Sequence, residues 1–283
     1  MEPVIITYQN NQLRMLNMNP EIPGVAASVL YLVSSGIQFQ SLSRDIPRVK
    51  LAVSGLALLA VLLHGTTVYF DLYGAAGINL GIYPMLSLMA VSISAIVLIS
   101  SFRRPLENLF IVIFPLGAIS LLLELFMHDS YLPRSDITPG ILSHIVLSVI
   151  AYSLLAIAAL QAALLSFGDY EMKHRNLGML KRLPPLQTME ALLFETLWVG
   201  LTFLSISIAS GFIFLENIEG PGLMHHTVIT LAAWLVFAVL LWGRYKLGWR
   251  GAIASRWVLT GFVLLALGYF GSKLVLEIIL GRA

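Results

Sequence analysis

Eight long apolar runs decide what this chain can become. They fall at about 22–40, 49–69, 82–101, 106–127, 139–166, 194–216, 225–243 and 256–280. Each is near the roughly 20 residues that a helix needs to cross the hydrocarbon of a bilayer. Inside lipid every backbone polar group must be satisfied within the segment that carries it, so runs of this length are read as spanning helices. The spacing predicts an all-α polytopic membrane bundle of about eight transmembrane helices, forming one integral membrane domain over 1–283. Composition agrees: 58% of the 283 residues are hydrophobic and only 11% are charged, against about 25% charged in an ordinary soluble domain. What remains is a polar N-terminal segment, 1–21, and one longer polar connection, 167–193, which carries KHRNLGMLKRLPP. No internal repeat is evident.

The basic residues alternate from loop to loop. Arg44, Arg48 and Lys50 follow the first span; Arg103 and Arg104 the third; Lys173, Arg175, Lys181 and Arg182 the fifth; Arg244, Lys246, Arg250 and Arg256 the seventh. The even loops hold Arg134 alone. Positively charged short loops stay cytoplasmic, so both termini are expected outside. The first 21 residues carry a single basic residue, Arg14, and the positive cluster comes after the first apolar run. A cleaved leader has the reverse order, so the first span is read as a retained helix. The net charge of +2 points to no nucleic-acid partner; the partner that composition demands is membrane lipid. The chain has no cysteine, which excludes disulfides, thiolate metal sites, iron–sulfur ligation and covalent heme attachment.

Histidine placement carries the chemistry. Of six histidines, five fall at or near the predicted outer face. His64 is near the outer end of span 2, His128 ends span 4, and His144 is one and a half turns into span 5, behind the cap-like pair Thr138-Pro139. His225 and His226 open span 7, in LMHHTVITLAAW. At about 1.5 Å per residue, His64 and His144 lie about 6–10 Å inside the outer boundary. Only His174 is cytoplasmic. Any one of these imidazoles could simply hydrogen-bond a neighbouring helix, and His128 and one of the 225/226 pair are the expected bystanders. Adjacent helical residues point about 100° apart, so both members of that pair do not easily serve one centre. Taken together, imidazoles without cysteines or a carboxylate cluster suit heme iron better than zinc. Intramembrane charges also mark functional sites: Glu124 lies late in span 4, and Lys273 and Glu277 lie four apart on one face of span 8. Lys273 is either a counter-ion for a ligand carboxylate or the partner of Glu277.

Three blocks carry a resemblance. They are TPGILSHIVLSVIAYSLLAIAALQAALL (138–165), LPPLQTMEALLFETLWVGLTFLSISIASG (183–211) and HHTVITLAAWLVFAVLLWGRYKLGWRGAIASRWVLTGFVLLALGYFGSK (225–273). With LLHGTTVYF around His64, they resemble the CcsA-like group of cytochrome c assembly membrane proteins, and within it the YpjD-like inner-membrane branch of bacteria. The resemblance implies a multi-pass protein of the bacterial inner membrane that handles heme near its outer face. It implies heme b held by helix histidines: His64 and His144 as intramembrane ligands and His225 as an external one, with His226 the alternative and Lys273 facing a propionate. It also implies heme-delivery or cytochrome assembly proteins as partners. Full members present heme on a tryptophan-rich external loop, the WWD motif, which this sequence lacks; its WRG (249–251) is in a predicted cytoplasmic loop. Heme lyase activity is therefore not expected. Two other readings stay open, an accessory subunit of a membrane complex without heme and a small-solute or ion transporter.

Overall fold

The computed structural model describes residues 21–42, 49–74, 77–127, 131, 133–174, 183–214 and 223–275, the side chains of 223–225 apart. Eight helices are long and apolar enough to cross a membrane among these residues: α1 (Glu21–Ser41), α2 (Val49–Leu72), α3 (Ile82–Ser101), α4 (Phe110–Phe126), α5 (Pro139–Lys173), α6 (Leu186–Phe214), α7 (Leu223–Leu247) and α8 (Gly251–Ala266). A 3₁₀ turn, Glu107–Leu109, leads into α4, and a π-helical segment, Leu267–Gly271, continues α8. The chain is an all-α polytopic bundle.

Most helix bounds fall where the apolar runs end. The polar connection 167–193 is the exception. α5 runs on to Lys173 and α6 begins at Leu186, so part of that stretch is helical. The cause is packing: a side chain on Gly168 would run into Leu186, so the two helices keep touching beyond the apolar span. The Thr138-Pro139 cap forms as expected, with Thr138 Oγ1 accepting from the Ile141 N–H at 3.4 Å.

The helices associate in two halves, α1–α4 and α5–α8, joined mainly where α3 packs on α5. Tyr31, Phe110, Phe114 and Ala57 centre the first core. Leu155, Leu193, Leu204 and Phe237 centre the second. Small residues let the backbones approach: α1 buries Gly24, Ala27, Ser28, Ser34 and Ser35, and α3 buries Ser87, Ser94 and Ser101 at heptad spacing. The outward faces are apolar as well, with Leu116, Ile119, Val199 and Ile206 exposed, as lipid requires.

The two ends of the bundle differ. At the end bearing the basic loops, Lys50 pairs with Glu107, Arg104 with Glu195 and Arg244 with Glu190. At the opposite end a two-stranded ribbon, Tyr73–Gly74 with Gly77–Ile78, follows α2. Ile78 exchanges backbone hydrogen bonds with Arg134 at 2.9 and 3.0 Å, which ties the α2–α3 connection to the α4–α5 one. Gly77 has φ 127° and faces the Arg134 carbonyl at 2.5 Å from where a Cβ would stand, so only glycine fits. The Arg134 guanidinium chelates Asp136 at 2.9 and 3.0 Å and holds that carboxyl below its usual range.

Candidate functional site

Three helices of the second half meet around a cavity of about 80 Å3. α5 contributes His144, Ser148 and Tyr152, spaced four apart and hence stacked on one face. α6 contributes Leu204, Ser207 and Gly211, and α7 contributes His226, Thr230 and Leu231.

His144 is oriented by α6. Its Nδ1 lies 3.0 Å from the Ser207 carbonyl and 3.1 Å from Ser210 Oγ. A carbonyl only accepts, so Nδ1 carries the hydrogen and a neutral ring keeps its lone pair on Nε2. Ser148 supports this arrangement: its hydroxyl donates to the His144 carbonyl at 2.7 Å and lies 2.6 Å from Ser207 Oγ. Such a partner fixes the tautomer of a metal-binding imidazole and raises its basicity.

The rest of the lining is under-satisfied. His226 Nε2, Tyr152 OH and Thr230 Oγ1 are all buried without a hydrogen-bond partner, and all three residues face this one cavity. A buried polar group left unpaired costs about 1–3 kcal/mol, so three around one space call for a polar guest, ordered water included. Tyr269, from the π-helical segment, closes the group. Its ring meets His226 edge-on at 5.9 Å and Tyr152 at 5.7 Å. π-Helical turns occur often at functional sites. The cavity is not sealed: Phe212 and Leu231 line it, yet are 55% and 39% exposed on the flank where α6 and α7 touch only briefly.

The histidines named from sequence are thus divided. His144 and His226 share the cavity. His225 lies on α7, but its side chain is outside the described residues, as are His128 and Glu277. His64 is in the other half of the molecule, 0% exposed, with both ring nitrogens engaged: Nδ1 with Tyr31 OH at 3.2 Å and Nε2 with Ser87 Oγ at 2.8 Å. Lys273 donates to the Leu80 carbonyl and sits over the rings of Tyr131 and Tyr269 at 4.8 and 5.8 Å, one ring away from His226. Tyr152, Thr230, Ser207 and Tyr269 escaped the sequence reading. The signal for Tyr152 was there, in the H-x₃-S-x₃-Y spacing that continues the face of His144. Among the described residues, no three His, Cys, Asp or Glu side chains gather as a metal-ion cage.

Residues 25–280 match the family model described as cytochrome C assembly protein. The chain is 32% identical over 225 residues to the inner membrane protein YpjD of Escherichia coli K12, covering 79% of this chain and 86% of that protein. It is 27% identical to the cytochrome c biogenesis protein CcsA of Chlamydomonas reinhardtii, over 97% of this chain and 76% of that one. Protein HemX of Brevibacillus brevis is 22% identical over 55% of this chain and 60% of its own length. No solved structure matches the chain significantly.

Proposed function

From the premise that the chain belongs to the cytochrome c assembly protein family and is a multi-pass inner-membrane protein, we propose that it binds heme b between α5, α6 and α7. His144 and His226 are the iron ligands in this reading. The observation that carries it is the cavity itself: an oriented imidazole with Nε2 left over, facing three buried polar atoms that have no partner.

The residues suit the group. Heme iron brings four nitrogens of its own and asks the protein for one or two axial ligands in an apolar slot. A site with two histidines and no acidic cage meets that demand. Without cysteines the attachment is non-covalent. When bound, heme would supply an iron that accepts imidazole and can change oxidation state. The chain's own residues do the rest. Ser207 and Ser210 hold the His144 ring, Tyr152 and Thr230 offer hydroxyls to a polar edge, and Lys273 supplies a cation for a carboxylate. The cavity of about 80 Å3 is smaller than a porphyrin, so α6 and α7 must part to admit one, and their contact is the sparse one. His64 stands outside this site, since its two nitrogens are already used. His225 adjoins it on α7.

By the positive-inside rule, the histidine end of the bundle faces outward. Heme-delivery or cytochrome assembly proteins are the partners that such a site implies. The test is a visible spectrum of the protein in mild detergent, oxidised and then dithionite-reduced, with hemin added where no pigment co-purifies. The expected result is a Soret band with sharp reduced α and β bands, lost in His144→Ala, lost or shifted to a high-spin form in His226→Ala, and kept in His64→Ala. No pigment after hemin addition, or a spectrum indifferent to both cavity histidines, would overturn the assignment.

A further inference from the structure

A second cavity lies where the two halves of the molecule meet. Leu106, Asn108 and Leu109, in the α3–α4 connection, wall it from the first half. Gln161 of α5, with Met189 and Leu192 of α6, walls it from the second. The place is a true seam: Leu192 packs into the core of the first half, and Leu164 touches both cores. It is close to the end that bears the basic loops, since Glu107, next to Asn108, pairs with the exposed Lys50. At about 1.5 Å per residue, Gln161 stands roughly 25 Å along α5 from His144, so this cavity and the histidine one are separate.

Gln161 is 4% exposed, and neither its amide nitrogen nor its amide oxygen has a hydrogen-bond partner among the described residues. A primary amide carries two N–H donors and a carbonyl acceptor, and leaving both kinds unmet in an apolar wall is costly. Asn108 brings a second amide to the wall from the other half. Size and sign then select the guest. The cavity measures about 20 Å3, and a water molecule needs about 10–15 Å3 of such space, so nothing much larger fits. An ion would answer only one sign of the amide and would lose its hydration among leucine, proline and methionine side chains. Water both donates and accepts, so a single molecule takes an N–H of Gln161 and gives a hydrogen to an amide carbonyl.

We propose that this seam cavity is a water-binding site, in which one resident water molecule held by the Gln161 amide bridges α5 to the α3–α4 connection. It is the buried counterpart of the Arg104–Glu195 ion pair, which joins the same connection to α6 at the surface. The site uses no residue of the proposed heme pocket, so it holds or fails independently of that reading.

The wall supplies its own probe. Met189 lines the cavity and is 5% exposed, while Met85 and Met89, 4% and 5% exposed, line neither this cavity nor the histidine one. Methionine sulfur is readily oxidised to the sulfoxide, but a buried one needs the oxidant made beside it. The whole protein in detergent, without hemin, receives a short radiolysis pulse that turns water into hydroxyl radical, and sulfoxide is counted peptide by peptide by mass spectrometry. Met189 should be oxidised several-fold faster than Met85 and Met89, and a radical scavenger in the bulk solution should not slow it. Gln161→Leu, which keeps the size and removes the amide, should bring Met189 down to the rate of the other two. A wild-type Met189 no faster than Met85 and Met89, a rate that the scavenger suppresses, or a fast rate that Gln161→Leu leaves unchanged would each overturn the proposal. A variant that loosens the fold would speed all three methionines together, and the wild-type comparison then decides alone.

Discussion

Two histidines with opposite environments set the residue-scale argument. His144 has one nitrogen held and one spare; His64 has both held. From sequence the two look alike, each an imidazole a turn or two below the same membrane face. Position along the helix was legible because rise per residue is fixed. The hydrogen-bond partners were not, because they come from other helices whose rotation no spacing reveals. The difference is measurable as stability. Replacing His64 by Leu strands the Tyr31 and Ser87 hydroxyls in the core, and we expect a loss of about 1–3 kcal/mol in denaturation followed in detergent. Replacing Tyr152 by Phe removes a hydroxyl that has no partner. It should leave stability unchanged or raise it by up to about 1 kcal/mol, while weakening retention of any bound pigment. A destabilised Tyr152→Phe would show that this hydroxyl serves the fold and not the cavity.

Among the elements, α7 is held mainly by α8. Its flank toward α6 is thin, and its contact with α8 uses Gly261, where a Cβ would stand 2.6 Å from the Phe237 ring. Gly261→Ala should therefore cost about 1–3 kcal/mol by overpacking, read as a lowered thermal midpoint. At the basic end Arg244 pairs with Glu190, donates to the Trp249 carbonyl at 3.1 Å and lies 4.5 Å from the Phe194 ring centre, which pins α7 and the α7–α8 turn onto α6. The eight apolar runs made these helices legible. The continuation of α5 to Lys173, the early start of α6 and the π-helical turn at 267–271 were hidden. All three are set by contacts with a neighbouring helix, and the local sequence there reads as polar loop or as ordinary helix.

At the scale of the whole molecule, α3 is the common wall. Met85 and Met89 belong to the core of the second half with Tyr152, while Ser87 faces His64 in the first. Which helices would touch was beyond the sequence, whereas an expected direction of insertion follows from charge counts, which need no contacts. The absence of cysteine makes that direction easy to check. A single cysteine at Ser135 should react with a membrane-impermeant maleimide added to intact cells or right-side-out vesicles, and one at Lys173 should react only after permeabilisation. The opposite pattern would invert the molecule and put the cavity on the cytoplasmic side.

In a bilayer the exposed apolar side chains of Phe212 and Leu231 would turn the open flank of the cavity toward lipid and not toward water. A greasy ligand would then arrive from solution in the bilayer, and the concentration that matters is its mole fraction among lipids. Occupancy would follow the partition coefficient of the ligand as much as its fit. In micelles the apparent Kd should rise in proportion to detergent concentration at constant total ligand, as each added micelle competes for the same solute. Titrations at a fixed protein-to-detergent ratio would collapse onto one curve when plotted against mole fraction.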